Sequence, residues 1–336
     1  MKLPAPRGPI SAQLTGLLGG AARPLPDVSP EWPGSRQPAA VLTDEDLQLT
    51  LFVCYELHYR GWDDVDPEWE WDPDLLRLRA VAERRFVDGL RALAGTAERV
   101  GQEAVPRRLA EIVAADDGPS LSGYLRGRAT LEQFREFVIH RSVYHLREAD
   151  PHTWAIPRLG GRAKAALIEI QLDEYGGGVT ERMHQELFRR TMRWFDLDLA
   201  YGAYVGSVGA LTLATNNLMS LFGLHRRLRG ALLGHLAAYE MTSSLPNRAY
   251  GNGLRRLGGD AGATRFYDEH VEADAVHEQI AAHDLCGSFS RAEPELAADV
   301  LFGARCALAV DAFWAAGLLD AWQAGKSSLL RRDCQE

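Results

Sequence analysis

The stretch FYDEHVEADAVHEQ, residues 266–279, places His270, Asp274 and His277 within eight residues. On a helix turning about 100° per residue, these three share a sector with Phe266, Tyr267, Ala273, Ile280 and Ala281. Asp268, Glu272 and Gln279 take the opposite side. The wet face is therefore elsewhere, and three metal-competent side chains lie on the apolar face, where an unpaired ionised group is costly. Either a buried hydrogen-bond network or a metal satisfies them. His270 and His277 lie about 10 Å apart along the axis, from a rise of about 1.5 Å per residue. That is long for one ion held from one helix. It suits two ions about 3.5–4 Å apart, with Asp274 between the imidazoles.

A dinuclear site needs further carboxylates and another imidazole on apolar faces, and three places offer them. Glu240, in LLGHLAAYEMTSSLP, shares its sector with Leu233, Leu236 and Ala237, and Pro246 is expected to stop that helix. Glu148, in FREFVIHRSVYHLREAD, shares a face with Phe134, Phe137 and Tyr144. In IEIQLDEYGGGVTERMHQELF, Glu174 ends one helical pattern, three glycines interrupt it, and His184 lies on the next. Three glycines in mid-pattern are expensive in a plain helix. A break there would turn Glu174 and His184 toward one centre.

The elements that must carry these residues are helical. From Leu42 the periodicity predicts helices from Thr43, as N-cap, to about Tyr59, then over 74–95, 103–114, 130–149, 162–175, 180–193, 195–222, 226–244, 261–284 and 294–323. Thr130 and Gln133 fit a capping box. No run alternates with period two long enough to demand a sheet, so the body reads as an all-α bundle over 42–336. Eight of the 16 prolines fall in residues 1–41, which read as an extended arm with a short helix near 10–18. The acidic loop GWDDVDPEWEWDPDLL (61–76) carries Trp62, Trp69 and Trp71, whose rings are expected to pack on the body.

Composition excludes several classes. A net charge of -9 argues against general nucleic-acid binding. The apolar stretch 306–319 is too short to span a bilayer and carries Asp311, so it reads as a buried helix. The N-terminus shows no apolar signal-peptide core. Cys54, Cys286, Cys306 and Cys334 form no CxxC pair, and reduced thiols in a cytoplasmic protein are expected. AGKSS (324–328) lacks the leading glycine and strand of a phosphate loop. Gly202, Gly206 and Gly209 read as small residues that let helices approach.

The ordered set Glu148, Glu174, His184, Glu240, then His270-x3-Asp274-x2-His277 resembles the ligand pattern of the heme-oxygenase-like diiron oxidases and oxygenases. DEYGGG followed by MH resembles especially their actinobacterial iron-containing redox enzymes. The resemblance implies a heme-oxygenase-like bundle holding two Fe ions, with O₂ as co-substrate and an external electron donor. Hard oxygen and imidazole donors without thiolate suit that metal. It further implies Glu174 as the bridging carboxylate and a small amino acid or amine as substrate, in specialised-metabolite biosynthesis. The outcome would be N-oxygenation or C–H cleavage, and His270, as a third imidazole, leans toward the former. Arg141 and Arg248 are the candidates for a substrate carboxylate clamp. A homodimer is compatible with this reading. Two other readings stay open: a heme protein of the same fold with His58 as axial ligand, and a non-catalytic helical protein that binds partners through its arm and tryptophan loop.

Overall fold

The computed structural model describes residues 1–20, 37–95 and 100–330, and of residues 272–275 the backbone alone. Its helices run in the order α1 (Pro9–Leu18), α2 (Ala40–Thr43), α3 (Glu45–Glu56), α4 (Pro73–Ala94), α5 (Val105–Ala114), α6 (Leu121–Gly127), α7 (Leu131–His145), α8 (Asp150–Thr153), α9 (Gly161–Glu174), α10 (His184–Trp194), α11 (Ala210–Leu224), α12 (Arg229–Arg256), α13 (Ala261–Gln279), α14 (Ser288–Ala292) and α15 (Ala297–Gln323). No strand occurs among the described residues.

Local chemistry sets most of the boundaries. Asp44, not Thr43, caps α3, accepting from the Leu47 amide. Asp72 and Asp260 cap α4 and α13 in the same way. Thr130 and Gln133 form the expected reciprocal capping box at the start of α7. That helix stops at His145 rather than running to 149. Pro151, in the first turn of α8, has no N–H to continue the ladder, so Leu146–Ala149 form a turn and Glu148 sits in it. Residues 195–209, expected to be helical, are mostly irregular, and Gly202 there adopts φ +74.

The bundle is organised on α12, a helix of 28 residues packed between α13 and α15. Glycine permits the second contact. A Cβ at Gly234 would lie 1.8 Å from the Val300 carbonyl oxygen, and one at Gly303 would lie 1.9 Å from that of Ala231. The close approach expected of Gly202, Gly206 and Gly209 is made by this other pair. Pro246 does not stop α12. It removes the bond to the Thr242 carbonyl, but packing on both flanks carries the helix onward.

The N-terminal segment lies on the body through α1, whose Ile10, Leu14 and Leu18 are buried; residues 21–36 of the arm lie outside the described residues. Trp62 and Trp69 are buried, donating to the Val53 and Gly20 carbonyls, while Trp71 is exposed. The loop therefore keeps two rings for packing and shows one to solvent. Cys54, Cys286 and Cys306 are buried free thiols, and Cys334 lies outside the described residues. The Ser328 amide and hydroxyl both donate to the Glu136 carboxylate, so the AGKSS segment is occupied with tying the chain's end to α7. Among the described residues, no helix is long and apolar enough to cross a membrane.

Candidate metal centre

The three glycines act as the sequence suggested. Gly176, Gly177 and Gly178 all have positive φ, between 61° and 80°, which makes a short turn that no L side chain favours. At Gly176 a Cβ would also meet the Arg182 and Met183 backbone at 2.5 and 2.6 Å. The chain reverses, and α9 and α10 present Glu174 and His184 to each other with Nδ1 and Oε2 3.0 Å apart.

Glu148 from the α7–α8 turn and His270 from α13 complete a cluster with these two. One donor atom from each of the four residues lies within 4.8 Å of all the others. The His270 and His184 rings stand 4.4 Å apart, and His270 Nε2 lies 3.9 Å from Glu148 Oε1. His270 donates from Nδ1 to the Phe266 carbonyl at 2.9 Å, leaving Nε2 as a bare acceptor toward the cluster. A backbone acceptor behind the ring is the usual device for orienting a metal-binding imidazole.

Glu240 and His277 form a second group, with Nδ1 and Oε2 3.4 Å apart. His277 donates from Nε2 to Asp173 at 2.9 Å, which turns Nδ1 inward toward Glu240. Asp274 lies outside the residues whose side chains are described. The helix geometry otherwise matches expectation: Phe266, Tyr267, His270, His277, Ile280 and Ala281 are buried and Gln279 is exposed. Past Gln279 the helix widens into a π-helical stretch, Ile280–Gly287, against α9 and α12.

The electrostatics are those of a charge cluster lacking a counterion. Burial, then the Glu174 charge, pushes the Glu148 carboxyl well up. Burial also raises Glu240. Burial would raise Glu174 too, but the His184 ring overrides it and holds this carboxyl low. Burial would lower His277, yet the Glu240 and Asp173 carboxylates raise it to about 9. Burial and the neighbouring His184 push His270 down to about 4. Glu148 Oε1 is buried without a hydrogen-bond partner, while Glu174 Oε2 faces only His184 Nδ1 at 3.0 Å and His277 Nδ1 only Glu240 Oε2 at 3.4 Å. Buried acceptors of this kind are expensive unless a cation takes them. The donor set, all carboxylate and imidazole, fits iron.

A cavity of about 320 Å³ reaches the cluster. Its inner wall carries Glu148, Glu174, Glu240, His270, His145 and His152, and its mouth the exposed segment around Asp116 and Ser120. Sequence reasoning misses His145. It donates from Nδ1 to Glu148, and its place three residues before that carboxylate is the available signal. Asp173, partner of His277, is missed likewise, although it stands beside Glu174.

The candidate clamp is not borne out as drawn. Arg141 does line the cavity, but its guanidinium is engaged by Asp311 at 3.2 Å and lies over the Trp314 ring. Arg248 is exposed and does not line the cavity. His58 is no candidate axial ligand either: Nδ1 faces Glu70 at 3.1 Å and Nε2 is taken by Arg79.

A family model described as "iron-containing redox enzyme" matches residues 135–312, more than half of the chain. The chain belongs to that family. The matched span begins in α7 and ends in α15, so it contains every residue of the cluster and the Glu240–His277 pair. A curated relative, nitrosourea synthase of Streptomyces achromogenes subsp. streptozoticus, is 26% identical over 214 residues. The match covers 62% of this chain and 45% of that protein, so the chain spans less than half of the relative's length. Membership makes the chain an iron-containing oxidoreductase, all-helical, with a buried Glu/His cluster where iron is expected.

Proposed function

We propose that this enzyme holds two iron ions and uses O₂ to oxidise a small amino acid or amine, with N-oxygenation the favoured outcome, in specialised metabolism. One observation carries the reading: Glu148, Glu174, His184 and His270 converge on one point, while Glu240, which lines the same cavity as Glu148, Glu174 and His270, pairs with His277. The first group would hold one iron and the second, with Asp274 from the same helix, the other. Glu174, which lines the cavity and lies at the glycine break, is the carboxylate to share between them. Iron, when bound, supplies activation of dioxygen.

The chain's own residues supply the rest. Phe266 and Asp173 fix the orientation of the His270 and His277 rings, each with one nitrogen turned inward; that of His277 would give up its proton when metal binds. His145 steadies Glu148. Leu236 and Leu308 help to line the cavity, and the buried walls keep bulk water from the reacting centre. Reducing equivalents would have to come from an external electron donor. The relative's printed activity, nitrosourea synthesis, supports nitrogen as the atom oxidised. The heme reading loses its axial ligand, since both His58 nitrogens are engaged.

The test is O₂ consumption by the anaerobically Fe(II)-loaded enzyme against a panel of amino acids and amines. At least one substrate is expected to accelerate uptake and to leave as an oxidised nitrogen product by mass spectrometry. Uptake that no amine or amino acid alters sinks the substrate assignment.

A further inference from the structure

Outside the Glu/His cluster, the charged residues lining the cavity are two acids, Asp116 and Asp311, and one base, Arg141. The base is buried. Arg141 is paired with Asp311 and lies over the Trp314 face, its Nε is shut away from the cavity, and its side chain is only 13% exposed. Asp311 is the open partner of this pair, at 38% exposed. Its Oδ1 accepts from Arg141, and the carboxylate retains acceptor capacity toward the cavity. Asp311 is the counterion of the buried Arg141, so the pair fixes where its carboxylate stands, and that carboxylate also lines the cavity. Around it stand Tyr144, Tyr239 and Tyr250, whose ring faces carry negative electrostatic potential.

We propose that Asp311 anchors the positively charged group of the substrate, and that Arg141 is a positioning residue that aims Asp311 rather than a clamp for a carboxylate. The cavity then takes molecules bearing an ammonium or guanidinium group and turns away plain carboxylic acids. The charge balance gives the direction: with the cluster's own carboxylates satisfied by metal, Asp116 and Asp311 against Arg141 leave the cavity one negative charge in excess. A ligand with only a carboxylate meets that excess and finds no free cation. An amine or guanidine finds an acceptor and aromatic faces. This rests on the functional reading above and deepens it, assigning Asp311 as the group that receives the cation of the amino acid or amine.

The experiment is equilibrium titration of the anaerobic Fe(II)-loaded protein with cadaverine, agmatine, L-lysine and L-arginine, and with hexanoate and decanoate. Wild type is expected to bind at least one cationic probe and neither fatty acid at the same concentration. Asp311→Asn, nearly isosteric, should weaken that probe at least tenfold, and Asp311→Glu should restore most of the affinity. Iron per chain and helical circular dichroism should be unchanged in both. Binding of the fatty acids as tightly as the cations, failure of every cationic probe, or undiminished affinity in Asp311→Asn overturns the proposal. Iron content reads the metal assignment separately: a wild type that takes up no iron defeats that assignment, while the comparison of wild type with Asp311→Asn still decides the role of Asp311.

Discussion

At the scale of the residue, the centre is built from groups whose charges do not balance without a cation. Glu148 and Glu240 are raised and His277 is raised to about 9, so the metal-free protein carries extra protons there near neutrality. A bound metal requires those ligands deprotonated, so loading must expel protons. The sign follows: apparent affinity rises with pH through the range between the ordinary histidine value and about 9. Calorimetry with Mn(II) at pH 7 in buffers of different ionisation enthalpy should show net proton release, and affinity should be greater at pH 8 than at pH 6. A pH-independent affinity contradicts the arrangement. His277→Ala is expected to lower metal content by about one ion per chain and His270→Ala to weaken the other position, both seen by elemental analysis. His235→Ala, a buried ring that does not line the cavity, should leave the metal count alone.

At the scale of the element, the glycine turn does the positioning. Gly176→Ala combines a positive φ with backbone at 2.5 Å, whereas at Gly178 a Cβ meets open space and only φ is strained. Gly178→Ala should cost about 1–2 kcal/mol, the usual penalty for an L residue in the left-handed region. Gly176→Ala should cost more and also displace α10, so that metal affinity falls along with the melting temperature. Equal effects of the two substitutions in melts and metal titrations would remove the turn's special role. This element was legible in the sequence because three consecutive glycines cost too much backbone entropy to continue a helix, so they mark a break. The capping box at Thr130 was legible because its two residue types stand at the spacing that reciprocal bonding requires, and Thr130→Ala should cost about 1 kcal/mol in a denaturant titration. Other boundaries were not. Glu148 reads as helical from its spacing to Phe137 and Tyr144, but Pro151 ends the run, and periodicity over a window does not register a single break. Pro246 reads as a stop because the local rule is strong, and tertiary packing on α13 and α15 overrules it. Asp311 reads in the sequence only as a bar to membrane insertion; its meaning depends on Arg141, 170 residues away, and such pairings are not visible along one chain.

At the scale of the whole molecule, distant segments must meet before any site exists. Glu148, Glu174, His184, Glu240 and the α13 histidines come from five segments, arranged around a central helix whose contact with α15 depends on Gly234 and Gly303. The all-α architecture and the direction of the donor-bearing faces followed from periodicity, since a buried polar residue on an apolar face stands out in any helical pattern. The cavity did not, because a void is a property of the assembled bundle. Because the proposed ligands come from separate elements, metal binding should stabilise the fold as a unit. At free metal 100 times the dissociation constant, linkage gives about 2.7 kcal/mol, visible as an upward shift in melting temperature that a chelator reverses.

The most direct test is the iron content of the purified chain after anaerobic Fe(II) loading and removal of excess metal. The account predicts two irons per chain in wild type, and a clear loss in the double substitution Glu174→Ala/His184→Ala with helicity retained. A wild-type chain that retains no iron, or a double variant that retains it all, contradicts the assignment of this cluster as the enzyme's metal centre.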